Sequence, residues 1–339
     1  MPGLLQTEPG YAAVQDAIAA GLERVAERFD RQLRSDLPPV SRLVQHIENY
    51  RGKMLRPTLV LASGLAAHGA RAAAPLNDVH TTLAAVVEMI HMATLVHDDV
   101  LDEADTRRRG QTVNRLHGNE TAVILGDYLI AAAYHLCSQL DSQQTALLVA
   151  HVSMTLCAGE LLQLSHRGDF SIDEPTYFEI IERKTASLVA LSARLGADAS
   201  GADSATARRF ERFGLNVGVA FQIQDDLLDL TGVESALGKP VGQDVAKGKL
   251  TLPIIHHLSS VAATERGRSL LLLDHAAESG SRGGAALVHA LESSGSLAHA
   301  RRKAEALVAD AKAELGPIPD SPAKSLLMAM ADAVVNRAQ

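Results

Sequence analysis

Ala93-Thr94-Leu95-Val96-His97-Asp98-Asp99-Val100-Leu101-Asp102 and Val219-Ala220-Phe221-Gln222-Ile223-Gln224-Asp225-Asp226-Leu227-Leu228-Asp229 end in the same acidic pattern, the second beginning 127 residues after the first (225 − 98). Both patterns run out of apolar sequence that reads as helix. At about 100° per residue, positions i, i+1 and i+4 share one arc of the helix, so each triplet projects its oxygens from a single stripe. Three like charges so close repel one another. A hard divalent cation such as Mg²⁺ relieves that repulsion, accepting a few carboxylates and leaving positions for water or phosphate oxygens. One copy alone would read as a solvated acidic face. Two copies, each on a core-forming helix, point to metal, with Asp98, Asp99, Asp102, Asp225, Asp226 and Asp229 as the candidate ligands.

Composition sets the frame around these helices. The chain has 339 residues and no composition break, so a single domain spanning 1–339 is expected, its segment 1–36 helical but poorest in motifs. Apolar residues make up 47% and aromatics 3%, with no Trp. A core built from Ala, Leu and Val suits helix packing better than sheets. The net charge of −8 argues against general nucleic-acid binding, which needs a basic surface. Cys137 and Cys157 lie in apolar helical sequence and read as reduced, buried thiols. The start lacks a signal peptide, and no charge-free apolar run reaches about 18 residues, so a cytoplasmic protein without a transmembrane segment is expected.

Turn-forming residues fall at Leu37-Pro38-Pro39, His68-Gly69-Ala70, Arg167-Gly168-Asp169, Ala199-Ser200-Gly201, Thr231 to Gly248, Gly280 to Gly284 and Gly316 to Pro322. Between them, helical periodicity marks 11–34, 84–103, 121–139, 147–164, 177–197, 205–230, 298–315 and 322–337. No alternating strand pattern stands out. The expected fold class is all-α: a large helical bundle of about ten or more helices, with the acidic helices lining a central metal cavity.

Basic residues recur near the acidic ones. Arg51-Gly52-Lys53-Met54-Leu55-Arg56-Pro57 offers a phosphate cradle, Gly giving backbone access and Arg a bidentate fork; taken alone it reads as an exposed basic turn. Arg107-Arg108-Arg109 follows the first triplet by little more than a helical turn, close enough to grip an anion held there. Lys184, in Glu182-Arg183-Lys184-Thr185, would be costly to bury unpaired and reads as a charge partner for phosphate. After the second triplet, Gly238-Lys239-Pro240-Val241-Gly242 and Lys247-Gly248-Lys249 form a loop able to close as a lid. His91 lies two turns before Asp98 on nearly the same stripe; spacing alone makes it a core histidine. Glu88-Met89-Ile90-His91 fits one half of a di-iron bundle motif, but no second copy exists. The His97-Asp98 pair suggests a metal-dependent phosphohydrolase, yet nothing comparable accounts for the second triplet.

In order, the Gly-Lys-x-x-Arg-Pro turn, His97-Asp98-Asp99-Val100-Leu101-Asp102-Glu103-Ala104-Asp105-Thr106-Arg107-Arg108 and Phe221 to Asp226 resemble the trans-isoprenyl diphosphate synthases, over about Arg51 to Pro253. The stretch from Gly295 to Arg337 is similar to long-chain, octaprenyl-type members. The resemblance implies the isoprenoid synthase fold, usually a homodimer, adding isopentenyl diphosphate to an allylic diphosphate. It implies that Asp98, Asp102 and the second triplet hold Mg²⁺, about three ions with the allylic diphosphate bound, with Asp99 supporting the cluster. Arg107, Lys184 and Lys239 would hold that same diphosphate, and Lys249 belongs to the same substrate-binding loop. Isopentenyl diphosphate would be bound without metal by Lys53, Arg56, His91 and Arg108. Thr185 and Gln222 would line the reacting carbon, so the catalytic set is Lys184, Thr185, Gln222, Asp98 and Asp225. Two departures from the family pattern, Arg51 and Arg109 in place of glycines, add positive charge near phosphate.

Charge arithmetic supports this chemistry. Six carboxylates and a diphosphate carry roughly −9, which about three Mg²⁺ with Arg107, Lys184 and Lys239 would bring near zero. In short-chain relatives a bulky aromatic closes the pocket just before the first Asp. Here Ala93 and Thr94 stand in those places, with Met89 and Val86 one and two turns deeper. Each turn is about 5.4 Å, comparable with an isoprene unit, so a product of roughly C35 to C50 is expected. Three other readings compete: a farnesyl or geranylgeranyl synthase, a terpene cyclase, and a non-catalytic subunit of a heteromeric synthase. The cyclase is disfavoured by Asp225–Asp229 and by Lys53 and Arg56, the subunit by the retention of all six carboxylates. A long apolar product allows transient membrane contact at release.

Overall fold

A computed structural model describes residues 9–68, 76–108, 110–232, 242–279 and 281–336. The chain folds as α1 (Pro9–Leu33), α2 (Pro38–Ile47), a single 3₁₀ turn (Glu48–Tyr50), α3 (Leu55–Ala67) and α4 (Asp78–Leu101). Next come two-residue strands β1 (Thr106–Arg107) and β2 (Gly110–Gln111), then α5 (Val113–His117), α6 (Asn119–Ser138), α7 (Gln143–Ser165) and α8 (Glu174–Ile181). A π-helical turn (Glu182–Ala186) leads into α9 (Ser187–Ala199) and α10 (Ser204–Thr231). The chain ends with α11 (Gln243–Ala246), α12 (Leu252–Ser260), α13 (Ala263–Ser279), α14 (Ser281–Ser293), α15 (Ser296–Glu314) and α16 (Pro322–Val335). The all-α expectation holds; the one exception among the described residues is the β1–β2 pair, in antiparallel register Thr106↔Gln111. Its ladder is too short to leave an alternating signature.

The chain divides into two compact units, each drawn from three separate stretches. The first comprises Met1–Ser153, Leu188–Arg212 and Leu315–Ala329. Its centre is α4, against which α1, α3 and α6 pack. Leu83, Val86, Val87, Met89, Ile90, Met92 and Val96 are buried along it, each burial worth about 2 kcal/mol against the unfolded chain. Helix α4 starts with a capping box, Asn77 accepting the His80 N–H at 3.2 Å. His80 then bonds Ser200, whose hydroxyl donates to the Gly64 carbonyl. Helices α3 and α9 approach so closely that a Cβ on Gly196 would strike the Val60 carbonyl, which fixes glycine there.

The second unit comprises Met154–Ser187, Phe213–Glu314 and Met330–Gln339. Helix α12 packs against α8 and α15, and α13 against α14. Phe213, Val219, Ile223, Leu227 and Leu230 of α10 join Leu252, Ile254 and Ile255 of α12 among the buried apolar residues of this unit.

Three expectations change. Pro38 and Pro39 open a helix instead of a loop, as the missing N–H of proline allows in a first turn, and Gly283 and Gly284 likewise fall in the first turn of α14. Cys157 is exposed, unlike the buried Cys137. By length and composition alone, α4, α6 and α7 could each cross a membrane; the apolar window of α4 is 78% buried inside the protein and that of α7 only 17%.

Candidate active site

The first acidic triplet ends α4. Asp102 caps the helix, its N–H donating to the Asp98 carbonyl at 2.8 Å, and the chain turns away through left-handed Glu103. Carboxylates are disfavoured at a helix C-terminus, where the dipole is negative, so this triplet calls for positive charge. Asp99 already has it. Its carboxylate is 1% exposed and accepts from Arg107 Nε at 2.9 and 3.1 Å, with the other guanidinium arm at 2.7 Å. The Tyr50 hydroxyl donates to Asp99 at 2.8 Å and accepts the Val113 N–H. Burial, then the Asp99 charge, pushes the Tyr50 phenol well above its ordinary value, so it stays a donor. Asn114 bonds the Asp99 and Ala104 carbonyls, and Thr112 bonds Ala104, pinning the loop back onto the helix end. Arg107, expected on a diphosphate, is here bound to Asp99. Asp98 and Asp102 remain partly exposed.

Beside it lies a basic cluster. Met54, in the left-handed region, turns the chain into α3 and sets Lys53, which is exposed, three residues from Arg56. Arg56 Nε is buried with no hydrogen-bond partner among the described residues, and desolvation lowers the guanidinium pKa, opposed by Glu88. Arg108 donates to the Tyr50 carbonyl, and its guanidinium lies over Gly52, where a Cβ would collide with it. Burial, then Arg56, Arg108 and Arg107, pushes His91 far below the usual imidazole range. It is therefore neutral, able to donate one hydrogen bond without adding charge. Glu88, 3% exposed, is raised by burial and pulled back by Arg56, Arg108 and Arg51. Arg56 and Arg108 thus lie close enough to His91 to act on it electrostatically. Arg51 is not a free phosphate ligand: it pairs with Asp30 and stacks on Phe29 at 4.4 Å. Arg109 lies outside the described residues.

The second triplet sits on α10. Asp226, 4% exposed, accepts from the Tyr177 hydroxyl at 2.7 Å and from Gln222 Nε2 at 2.8 Å. The Gln222 oxygen accepts in turn from Thr185 at 3.0 Å. Burial first, then nearby Asp244 and Asp225, drives Asp226 up to about 8 against those hydrogen bonds. Asp229 is buried and accepts the Asp244 N–H at 3.1 Å, while its carbonyl accepts from Gly242. Asp225 is partly exposed. Lys249 donates its N–H to the Asp244 carbonyl, which places it beside this triplet. Lys239 lies outside the described residues.

Lys184 and Thr185 occupy the π-turn, an irregularity often found at functional positions. Lys184 pairs with Glu160 of α7. That approach depends on Gly159, where a Cβ would meet the Lys184 backbone nitrogen.

Among the described residues, no three His, Cys, Asp or Glu side chains converge as a ready metal cage. The middle carboxylate of each triplet, Asp99 and Asp226, is buried and hydrogen-bonded within the protein, and Asp229 is buried as well. Asp98, Asp102 and Asp225 remain partly exposed, and these all-oxygen, carboxylate donors fit a hard cation such as Mg²⁺ that brings its own waters or phosphate. Sequence reading missed Tyr50, Tyr177, Glu160 and Asp244, and it weighed Glu88 only as half of a di-iron motif. The tyrosines carried a signal: the chain has five, and two serve the two triplets. Along α4, Val86, Met89 and Ala93 are fully buried and the Thr94 hydroxyl donates to the His91 carbonyl.

The Polyprenyl synthetase family pattern matches residues 38–282. The octaprenyl diphosphate synthase of Escherichia coli K12 is 32% identical, over 96% of this chain and 98% of its own. Heptaprenyl diphosphate synthase component 2 of Bacillus subtilis is 36% identical, over 71% of this chain and 68% of its own. The crystal structure of the Caulobacter crescentus polyprenyl synthase with calcium and isoprenyl diphosphate superposes with a TM-score of 0.87 at 30% identity, covering 98% of this chain and 100% of that one. The chain belongs to the polyprenyl synthetase family of trans-prenyltransferases.

Proposed function

We propose that the protein extends an allylic diphosphate by successive head-to-tail additions of isopentenyl diphosphate, giving an all-trans chain of roughly C35 to C50. The observations that carry this reading are a carboxylate triplet in each unit, with Asp98, Asp102 and Asp225 partly exposed, and, in the first unit, Arg56 and Arg108 beside a neutral histidine. The first chemistry suits a metal-bound diphosphate, the second a diphosphate bound without metal. Asp98, Asp102 and Asp225 would hold Mg²⁺, which when bound screens the charge of the departing diphosphate and so favours ionisation. Lys184 adds its ammonium to the same diphosphate; Arg107 acts at one remove by fixing Asp99. Arg56, Arg108, Lys53 and the His91 N–H hold isopentenyl diphosphate. The Thr185–Gln222 pair lines the reacting carbon, and no protein nucleophile is needed.

Chain length follows from α4. Its stripe of Ala93, Met89 and Val86 lacks any aromatic floor, so the growing tail runs along the helix. A homodimer is proposed on the family and on α7, whose Leu147, Met154 and Leu161 are 62%, 71% and 67% exposed at spacings of seven, a pattern suited to helix pairing. A cytoplasmic location is proposed because both substrates are charged and water-soluble. The component 2 relative supports a second reading, a catalytic partner in a heteromeric synthase. Purified protein given farnesyl diphosphate, labelled isopentenyl diphosphate and Mg²⁺ separates these: long-chain product from the chain alone supports the first, product only with an added subunit the second, and cyclised hydrocarbon neither.

A further inference from the structure

We propose that Tyr50 and Tyr177 are positioning residues, each latching the middle carboxylate of its triplet inward and so fixing the rotation of the acidic helix end. The inference rests on the reading of the triplets as cation-binding. Two helices of different sequence, in different units, share one arrangement. In each, a tyrosine from an element outside the acidic helix donates to the second Asp, Tyr50 to Asp99 at 2.8 Å and Tyr177 to Asp226 at 2.7 Å. Both tyrosines are buried, at 2% and 4% exposure, as are both carboxylates. An apolar residue at either Asp position would avoid the cost of burying a carboxylate, so packing alone does not account for the pairs.

Helical geometry says what the latch accomplishes. On an ideal helix the first and third carboxylates lie about 40° apart, with the middle one about 60° beyond. Holding the middle one inward therefore aims Asp98 and Asp102, both partly exposed, in one direction at the first end, and Asp225 at the second, where Asp229 is itself buried and accepts the Asp244 N–H. The loss of a hydroxyl that donates to a buried carboxylate frees that aim and weakens cation binding without touching a ligand.

The two latches are unequal. Asp99 keeps a bidentate guanidinium when Tyr50 is lost. Asp226 keeps the neutral Gln222 amide and faces Asp225 and Asp244. Tyr177 therefore carries more of the positioning than Tyr50.

The test uses Tyr50→Phe and Tyr177→Phe in the full chain, with Mn²⁺ plus inorganic pyrophosphate as the probe and free Mn²⁺ read by electron paramagnetic resonance. Tyr177→Phe is expected to weaken Mn²⁺ binding about 10-fold, from the usual cost of leaving a buried acceptor unsatisfied, and Tyr50→Phe, which leaves Asp99 paired with Arg107, about 2- to 3-fold. The Mg²⁺ concentration for half-maximal velocity should shift in parallel, while KM for isopentenyl diphosphate stays at the wild-type value. Thermal unfolding read alongside separates a structural role: a lowered Tm with Mn²⁺ affinity within two-fold of wild type in both variants overturns the proposal. Each tyrosine is scored on its own, so one variant that fails to fold leaves the other to decide. Wild-type protein that does not bind Mn²⁺ with pyrophosphate would instead overturn the underlying reading of the triplets.

Discussion

The two acidic helix ends carry one motif in opposite electrostatic settings. At the first, the buried middle carboxylate is answered inside its own unit by Arg107, with Tyr50 and Asn114 completing a closed network. At the second, the hydrogen bonds to Asp226 among the described residues come from neutral donors, Asp225 and Asp244 crowd it, and it is driven up to about 8. The first end is balanced as built. The second end sets its buried carboxylate against the like charges of Asp225 and Asp244. A motif thus fixes which groups are present, whereas their surroundings decide how each is held.

The largest expected effect is on rate. Lys184→Ala should lower kcat about 100- to 1000-fold, the usual loss when one group stabilising developing anionic charge is removed, with KM for isopentenyl diphosphate little changed. An equal loss in that KM would move Lys184 to the other substrate.

Stability then separates the two ends. Asp99→Asn leaves the Arg107 guanidinium without its counter-charge and should cost about 3 kcal/mol in urea unfolding of metal-free protein. Asp226→Asn should cost nothing at pH 8 and stabilise instead. The sign follows from the raised carboxyl: the folded state holds its proton more tightly than the unfolded chain, so wild-type stability is full below the ordinary carboxylate value and falls as pH rises toward about 8. The asparagine variant lacks that loss, and its advantage should widen between pH 4 and 8. Equal effects from the two substitutions would erase the contrast.

A smaller pH effect of opposite sign belongs to the first unit. Burial first, then His68 and Arg24, lowers His80 to about 4. Its folded form resists protonation while the unfolded chain protonates near 6.5, so stability is full above pH 6.5 and falls as pH drops toward 4. Between pH 8 and 5 this amounts to about 2 kcal/mol. The pH slope of His80→Gln compared with wild type by denaturant unfolding isolates it.

Ala93→Phe should leave the rate nearly intact and shorten the product, because a ring at that position closes the stripe toward Met89. An unchanged product ladder by mass spectrometry would place the floor elsewhere.

The all-α class and the ends of several long helices were legible because periodicity over many turns is a strong signal; α4, α6, α7 and α10 fall within a few residues of expectation, the start of α4 excepted, whereas α3, α13 and α14 were not among the expected segments. The short helices α5 and α11 and the β1–β2 pair were not, being held by caps and tertiary contacts that leave no period. At the candidate site, the six aspartates stood out from type and spacing, whereas Arg56, His91 and Arg108 were picked out only through the family resemblance. Their division of labour was not legible. Nothing in the order of residues says that Arg107 turns back onto Asp99, or that Glu160 takes Lys184, because both contacts depend on how separate elements pack. Tyr50 and Tyr177 escaped notice for the same reason, since each lies 49 residues from the carboxylate it holds.

The decisive measurement is the product formed by the purified chain alone from farnesyl diphosphate, isopentenyl diphosphate and Mg²⁺, read by mass spectrometry. A magnesium-dependent ladder ending at roughly C35 to C50 is expected. A ladder that stops at C15 or C20 would contradict the proposal that the tail runs along α4, and no elongation at all would contradict the proposal that this chain is a self-sufficient synthase.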